Sequence, residues 1–334
     1  MSLRQDLGQA SWVCKDFIKH RSLPAQMRAM KHMQLPNLPR RRRKEGEVWG
    51  VTLVKNEADI LPLVIEHLFA QGISHIIVGD NMSTDDTPEI LEEFALKTGR
   101  VHVARDREPA HIQAEKMTYM CHAAWRAGAD WIIPFDGDEF WFAPEGGLAD
   151  YLRAQSADMI YADFLHMVPT TPGPEDLINA EFIVDTKPSF PGKVAVRSHR
   201  WLKMGPGNHY ALRVGATSHG LKIAHAQYRS PEQVARKVRQ GSAATALTGE
   251  DLSWFSPHWE AGSKLSNAEI LEVWENISHG RPDERIQFAA NGPMLKAHPL
   301  RWKTCHWQRQ IALRASPTPH KPWGATNFFM AAAR

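Results

Sequence analysis

This chain has few cysteines, no long apolar run and almost no net charge, and each shortage excludes something. Its three cysteines, Cys14, Cys121 and Cys305, lie far apart with no metal-ligand spacing among them, which excludes a zinc module or a disulfide framework. An odd number of scattered thiols fits a reducing compartment. No apolar run approaches the ~20 residues that span a bilayer, and the N-terminus lacks the continuous apolar core of a secretory signal, so the expectation is a cytoplasmic chain. Neither an internal repeat nor a low-complexity tract is present. A net charge of +3 over 334 residues gives no general attraction for nucleic acid, and no nucleic-acid partner is expected.

What is present is an apolar content of 43%, enough for a large core and better suited to one α/β domain with extensions than to two independent domains. The most informative stretch is Trp131-Ile132-Ile133-Pro134-Phe135-Asp136-Gly137-Asp138-Glu139-Phe140-Trp141. It reads as a buried strand that breaks into three carboxylates, where an open α/β sheet delivers side chains into the crevice at its carboxyl end. Asp136 and Asp138 are two apart and share a face in a regular strand, and Gly137 lets the chain turn. Paired carboxylates there suit a hard divalent cation, Mg²⁺ or Mn²⁺, and the phosphates that come with it. An acidic turn after a core strand is the alternative.

Upstream, Val48 to Val54 is a β-branched run that ends in Lys55-Asn56-Glu57 and leads into apolar residues at helical spacing from Ile60 to Phe69. Ile73 to Val78 reads as a second buried strand, and Gly79-Asp80-Asn81-Met82-Ser83-Thr84-Asp85-Asp86-Thr87-Pro88 as a polar loop. That loop contains a helix start, with Ser83, Thr84 and Asp85 as candidate caps. A helix from Ile90, a strand at Val101 to Ala104 and a helix from Ala114 to Ala127 complete the alternation. Strands alternating with helices, with polar residues gathered after the strands, predict a mostly parallel sheet covered on both faces.

Val51-Thr52-Leu53-Val54-Lys55-Asn56-Glu57, the loop from Gly79 to Asp85 and Asp136-Gly137-Asp138-Glu139-Phe140 resemble three ordered signatures of family-two-like glycosyltransferases with the GT-A fold. They are most like the branch whose metal motif reads Asp-x-Asp-Glu-Phe. The segment His225 to Gly241 is similar to that branch's closing His, Arg-Ser and Lys region, so the resemblance covers roughly residues 47 to 241. It implies a GT-A domain with a single Rossmann-like sheet over residues 47–245, between a basic N-terminal extension, 1–46, and a C-terminal helical or irregular extension, 246–334.

The resemblance also implies an activity: metal-dependent transfer of a sugar from a nucleotide-sugar donor, with UDP the favoured carrier, to a glycan, lipid-linked or other hydroxyl acceptor. The outcome would be inverting, and polysaccharide or lipid-linked glycan assembly a natural setting. Under it Glu57 and Asp80 hold the nucleoside, since carboxylates accept from ribose hydroxyls and base N–H groups. Thr52, Asn56 and Ser83 add neutral hydrogen bonds, with helix capping an equal alternative for Asn56 and Ser83. Lys116 contacts a phosphate or the donor sugar, or is a solvated helix lysine. Asp138 is the direct ligand of Mn²⁺ or Mg²⁺, Asp136 contacts the metal, the ribose or a water, and His225 closes over the diphosphate or the metal. Arg229 and Lys237 bind phosphate oxygens, Arg by a bidentate fork.

A general base for the acceptor is harder to find, because no Glu-Asp pair followed by a helix stands downstream of the carboxylates. His209, in the glycine-rich run Gly205 to Tyr210, has an ordinary pKa near 6.5 that suits the task, and Glu175-Asp176 is the second choice. Lys193 opens another strand and points to the donor or to solvent. Two rivals remain. A sugar nucleotidyltransferase would carry a glycine-rich basic loop after its first strand, which Val54 to Glu57 lacks. A catalytically inactive nucleotide-binding scaffold would have less reason to keep Asp80, Asp136, Asp138 and His225 together.

The ends carry other signals. Arg40-Arg41-Arg42-Arg43-Lys44 follows a stretch, Trp12 to His20, that can be drawn as a short amphipathic helix. Such a pair suits peripheral contact with the inner face of an anionic membrane, each basic side chain contributing ~1 kcal/mol near the surface. A solvated linker is the alternative. Among 12 tryptophans, Trp201, Trp254 and Trp259 stand in polar surroundings and serve either to stack on a sugar or as core and interface residues. The stretch from His298 to Arg334 is basic and reads as a tail or a partner contact.

Overall fold

The computed structural model describes residues 3–170, 177–248 and 257–297. Trp254, Glu175, Asp176, Cys305 and the stretch from His298 to Arg334 lie outside the described residues.

Two helices, α1 (Leu3–Lys19) and α2 (Leu23–His32), precede a short strand, β1 (Met33–Gln34). The expected alternation follows as β2 (Val48–Val54), α3 (Leu61–Ala70), β3 (His75–Asp80), α4 (Thr87–Thr98), β4 (Val101–Asp106), α5 (Gln113–Arg126) and β5 (Trp131–Pro134). Then come β6 (Glu139–Phe142), α6 (Leu148–Arg153), β7 (Met159–Pro169), β8 (Phe182–Asp185), β9 (Ser189–Arg197), β10 (Lys203–Met204), β11 (Ala211–Leu212) and β12 (Thr217–His225). The remaining elements are α7 (Pro231–Ala246), α8 (Pro257–Ser263), α9 (Asn267–Ile277) and β13 (Met294–Ala297). Helix boundaries follow local chemistry: Pro62 and Pro88 stand in the first turns of α3 and α4, where a missing N–H costs nothing, and Gly99 ends α4 at φ 61°.

The main sheet runs β1-β4-β3-β2-β5-β9-β7-β12-β6, with β8 paired to β7 and β13 to β8. Strands β4, β3, β2 and β5 are parallel, as are β7 and β12, whereas β9 is antiparallel to both β5 and β7. This is the α/β layout expected of the GT-A fold, with the parallel part where the β-α alternation is legible. The period-two pleat divides the core into two layers. Val48, Ile76 and Val78 pack with Leu61, Val64 and Leu91 of α3 and α4, while Trp49, Val51 and Ile77 pack with Met117, Met120 and Cys121 of α5.

The run from Trp131 to Trp141 is two strands rather than one. β5 lies beside β2 inside the sheet and β6 is the far edge strand beside β12. The chain breaks because the Asp136 carbonyl accepts the Glu139 N–H at 3.1 Å, closing a tight turn over the three carboxylates and Gly137. Gly137 is required there by close approach: a Cβ would stand 3.0 Å from Val54 Cγ1 and 3.5 Å from Glu57 Cγ.

The expected amphipathic segment is part of α1, which docks on the domain itself. Gln9 is fully buried, its Nε2 donating to the Trp201 and Leu212 carbonyls at 2.9 and 2.6 Å. Part of the basic cluster is structural, because Arg43 Nε lies 2.7 Å from the buried Asp130 carboxylate and Lys44 Nζ 3.0 Å from that of Glu47. Among the described residues no helix is long and apolar enough to cross a membrane.

Candidate functional site

The carboxyl ends of β2 and β3 are joined by their own loops. Asn56, at φ 56°, accepts the Thr84 N–H on Oδ1 at 2.7 Å, and its own N–H donates to Ser83 Oγ at 2.9 Å. The N–H groups of Glu57 and Ala58 donate to Thr87 Oγ1 at 3.0 Å and Asp85 Oδ2 at 3.1 Å. Asn56 and Ser83 therefore pin one loop to the other instead of capping the helices that follow them. Asp80 Oδ1 accepts the Ser83 N–H at 3.3 Å. Thr52 is buried inside β2, with Oγ1 3.4 Å from the Leu53 carbonyl.

Beside these loops opens a cavity of about 180 Å³ with a wide mouth to solvent. Lys55, Asn56 and Glu57 form one wall and Arg236, Lys237 and Gln240 of α7 another. Asn81, Asp106 and Lys116 line its inner part, and His111 and Trp259 its apolar side, their rings edge to face at 5.1 Å. Asn81 Nδ2 donates to Asp106 Oδ2 and to the Glu108 carbonyl, both at 2.8 Å. Lys116 is buried, with Nζ 2.7 Å from Asp106 Oδ2 and 2.5 Å from the Glu108 carbonyl. Burial pushes its pKa down against the pull of Asp106.

The carboxylate turn sends its two aspartates to different partners. Asp136 Oδ2 pairs with Lys193 Nζ of β9 at 2.5 Å, and its Oδ1 lies 3.3 Å from Gln113 Nε2 and 3.4 Å from Asn208 Nδ2. Lys193 is buried and also pairs with Glu139 Oε1 at 2.6 Å. The other oxygen of Glu139 accepts the Asp136 N–H and the Trp141 indole N–H, each at 3.0 Å. Asp138 is 1% exposed and turns toward β12 and α7. Its Oδ2 meets Lys237 Nζ, with Arg229 Nη1 at 3.7 Å, and its Oδ1 stands 3.2 Å from His225 Nε2. Burial opposes the charge on Asp138, but Lys237, His225 and Arg229 outweigh it and hold the carboxyl well below the usual range. Asp136 and Asp138 thus do not converge on one point, because the segment is a turn and the strand alternation does not apply.

His225 closes β12, opposite Glu139 on one neighbour and beside His166 on the other. Its ring lies edge-on to Phe164 at 5.2 Å, its Nδ1 is buried without a partner, and its Nε2 faces Asp138 Oδ1. Two ligand atoms of an octahedral cation, each at about 2.1 Å, stand about 3 Å apart when adjacent, so the observed spacing and the oxygen and nitrogen donors fit Mn²⁺ or Mg²⁺. Among the described residues no group of three or more His, Cys, Asp or Glu is arranged to hold a metal. A cation at this pair would have only these two side-chain donors, Asp138 Oδ1 and His225 Nε2, and would need phosphate or water for the rest of its shell.

The remaining expected residues are placed as follows. Arg229 is 1% exposed and fully committed: Nε and Nη2 grip Asp59 at 2.6 and 2.9 Å, Nη2 also reaches Glu57, and Nη1 donates to the Ala226 carbonyl at 3.0 Å. Its fork locks the start of α7 to the β2 loop, and its remaining N–H, on Nη1, lies on the side of Asp138 Oδ2 at 3.7 Å, so the guanidinium is directed at carboxylates rather than at a phosphate. Burial raises the Glu57 pKa despite Arg229 and Lys237. His209 lies near Asp136 and Lys193, its Nδ1 2.8 Å from the Gly192 carbonyl, which leaves Nε2 as the ring's acceptor. Burial, followed by Lys193, lowers its pKa to about 4, well under the ordinary value near 6.5.

Residues that sequence reasoning missed are Asp59, Asn81, Asp106, His111, Arg236 and Gln240. Asn81 and Asp106 had a usable signal, since each stands at the carboxyl end of a parallel strand. Trp259, left open between stacking and core, lines the cavity, whereas Trp201 is 38% exposed beside α1.

In sequence, residues 51–165, 115 of the 334, match the family described as glycosyl transferase family 2. No curated protein matches the chain at a significant level. Among solved structures, the chain is similar to residues 1–349 of S. aureus TarS, at 12% identity and a TM-score of 0.34, covering 70% of this chain and 71% of that one. It is also similar to the mannosyltransferase PcManGT from Pyrobaculum calidifontis, in complex with GDP-Man and Mn²⁺, at 14% identity and a TM-score of 0.37, covering 92% and 96%. At these scores neither structure assigns anything to the chain.

Proposed function

We propose that the chain transfers a sugar from a nucleotide-sugar donor to a hydroxyl acceptor. The observation that carries this reading is the cavity at the carboxyl ends of β2, β3 and β4, which meets Lys237, itself seated on Asp138 beside His225. The family match over residues 51–165 supports it.

The nucleoside would occupy the inner cavity, between the His111 and Trp259 rings and the polar group of Asn81, Asp106 and Lys116, with Asn56, Glu57 and Asp80 close to the ribose. Aromatic edges and faces suit a flat base, and UDP is the favoured carrier. The diphosphate would then lie toward Arg236 and Lys237, whose cations neutralise it. Asp138 and His225 would hold Mn²⁺ or Mg²⁺, which supplies Lewis-acid stabilisation of the departing diphosphate when bound. Lys237 would have to shift from Asp138 toward the phosphates, and it lines the cavity from α7. Asp136, fixed by Lys193, presents its Oδ1 edge with Asn208 and Gln113, a set suited to sugar hydroxyls.

His209 Nε2 would take the acceptor proton, with Nδ1 anchored on the Gly192 carbonyl holding the tautomer. A conjugate acid near 4 keeps the imidazole neutral at physiological pH, ready but a weak base. Inversion by direct displacement is the favoured course. The rival reading, a nucleotide-binding protein without turnover, draws on Asp138 and Glu57 already being paired with the chain's own cations. Incubation with a panel of nucleotide sugars, Mn²⁺ and candidate hydroxyl acceptors separates them: release of nucleoside diphosphate coupled to a glycosylated product supports transfer, and binding without product supports the rival.

A further inference from the structure

The outward face of the N-terminal helix pair is both apolar and basic. Leu7 and Ile18 on α1 are 62% and 78% exposed, and Leu23, Met27 and Met30 on α2 are 54%, 63% and 54% exposed. On α2, positions 23, 27 and 30 follow the i, i+4, i+7 spacing and form one exposed apolar stripe, and on α1 Leu7 and Ile18, three turns apart, lie on one side with the exposed Ser11 and Cys14 between them. The opposite faces bury Gln9 and Val13 of α1 and Gln26 and Ala29 of α2 against the domain. A tight connection joins the two helices, with the Ser22 N–H donating to the Phe17 carbonyl at 3.2 Å.

The charges on this pair are one-sided. Residues 3–32, which span the pair, contain six Lys or Arg and only two acids, Asp6 and Asp16. Both acids turn inward: Asp6 pairs with Arg200 and lies 3.1 Å from His199, and Asp16 lies 2.6 Å from Lys203. What remains at the surface is Arg4, Lys15, Lys19, Arg21 and Lys31 around the apolar stripes.

We propose that this face docks on an anionic phospholipid bilayer. Amphipathic helices with basic flanks lie in the headgroup region, burying the apolar stripe while the cations meet lipid phosphates. Charge complementarity selects this occupant over two others. A second copy docking face to face would set the same basic groups opposite one another. The C-terminal stretch 298–334 has six Lys or Arg and no Asp or Glu, so it too is repelled. The docked pair is coupled to the cavity from two sides: Arg28 of α2 grips Glu108 at 2.7 Å, whose carbonyl holds Lys116, and Gln9 of α1 grips the Leu212 carbonyl of β11, close after the His209 loop. The proposal stands apart from the transfer reaction, because docking needs no turnover.

The test is co-sedimentation of the full chain with large unilamellar vesicles, either of phosphatidylcholine alone or of equimolar phosphatidylcholine and phosphatidylglycerol. The chain is expected to pellet with the anionic vesicles, to stay largely in solution with neutral ones, and to be released by high salt. Ile18→Asp with Met27→Asp, both at exposed sites that leave the core untouched, should weaken binding by about tenfold or more. The triple change Lys15→Gln, Lys19→Gln, Arg21→Gln should abolish the preference for anionic lipid. A wild-type chain that ignores anionic vesicles, that binds both kinds equally, or that forms a dimer dissolved by the Ile18 and Met27 changes would overturn the proposal.

Discussion

Nε2 of His225 stands 3.2 Å from Oδ1 of Asp138, a carboxylate only 1% exposed. These groups are 87 positions apart in the chain, and what joins them is the antiparallel pairing of β6 and β12, in which His225 faces Glu139. The same pairing brings Lys237 of α7 onto the other oxygen of Asp138. Under the proposed function, this buried carboxylate, with one oxygen held by a lysine and the other facing an imidazole, would exchange those partners for a cation beside a diphosphate.

Asp138→Asn is therefore expected to abolish metal-dependent nucleotide binding and to lower transfer by at least ~100-fold. The amide retains the shape and loses the anionic oxygen a hard cation requires. It also leaves Lys237 and Arg229 less compensated, so a modest drop in melting temperature should accompany the loss. Turnover and metal dependence like the wild type, measured at saturating donor, would remove the metal assignment.

Trp259→Ala should weaken nucleoside binding while sparing the diphosphate end. The indole lines the cavity edge to face with His111 and has a buried Nε1 without a hydrogen-bond partner, so a base that fills the space gains both contact and an acceptor for that N–H. Stacking of this kind is worth about 1–3 kcal/mol per base, or roughly a tenfold loss of affinity. Calorimetry with a nucleoside diphosphate and with pyrophosphate distinguishes the two ends, and equal weakening of both ligands would count against the placement.

Lys237→Met is expected to raise the dissociation constant of a nucleoside diphosphate about tenfold or more, since a charge-assisted hydrogen bond contributes ~1.5–3 kcal/mol. Arg229→Lys should act differently, lowering stability first, because the lost fork released Asp59 and Glu57 rather than a phosphate. Thermal melting alongside calorimetry separates these effects. A stable Arg229→Lys chain with a selective loss of nucleotide affinity would return Arg229 to the phosphates.

Two pH dependences follow from buried imidazoles. His67 is fully buried, with Nε2 2.7 Å from the Trp141 carbonyl and a pKa lowered by burial to about 4. The unfolded chain takes up its proton near 6.5 and the folded one only near 4, so stability is fully present above 6.5 and falls as the pH drops toward 4. The melting temperature should decline across that window, and His67→Gln should flatten part of the decline. His209, if it takes the acceptor proton, should put the acid limb of the rate profile at about 4. A His209→Ala chain with full activity and the same profile would eliminate it as the base.

The parallel half of the fold was legible because each strand there is a continuous apolar run followed by a polar turn and an amphipathic helix, a local pattern. The antiparallel half was not, since the pairing of β5 with β9 and of β6 with β12 depends on distant segments. The same division separates the site residues. Glu57, Asp136 and Asp138 were visible as carboxylates at strand ends, and the shared cavity of Glu57 with Lys116 and Lys237 follows from the topology. The partners of those groups were not visible: nothing local says that Arg229 answers Asp59, or that Lys193 would be buried between Asp136 and Glu139. The tight turn at Asp136 to Glu139 had a signal in Gly137, but its consequence, two aspartates facing apart, required the β6 pairing.

The most direct measurement is titration calorimetry of nucleoside diphosphates into the wild type, Asp138→Asn and His225→Ala, each with and without Mn²⁺. The account predicts that one diphosphate binds the wild type in a Mn²⁺-dependent manner, and that either substitution removes the metal-dependent part. Absence of binding by every diphosphate, or binding of equal strength in all three chains with and without Mn²⁺, would contradict it.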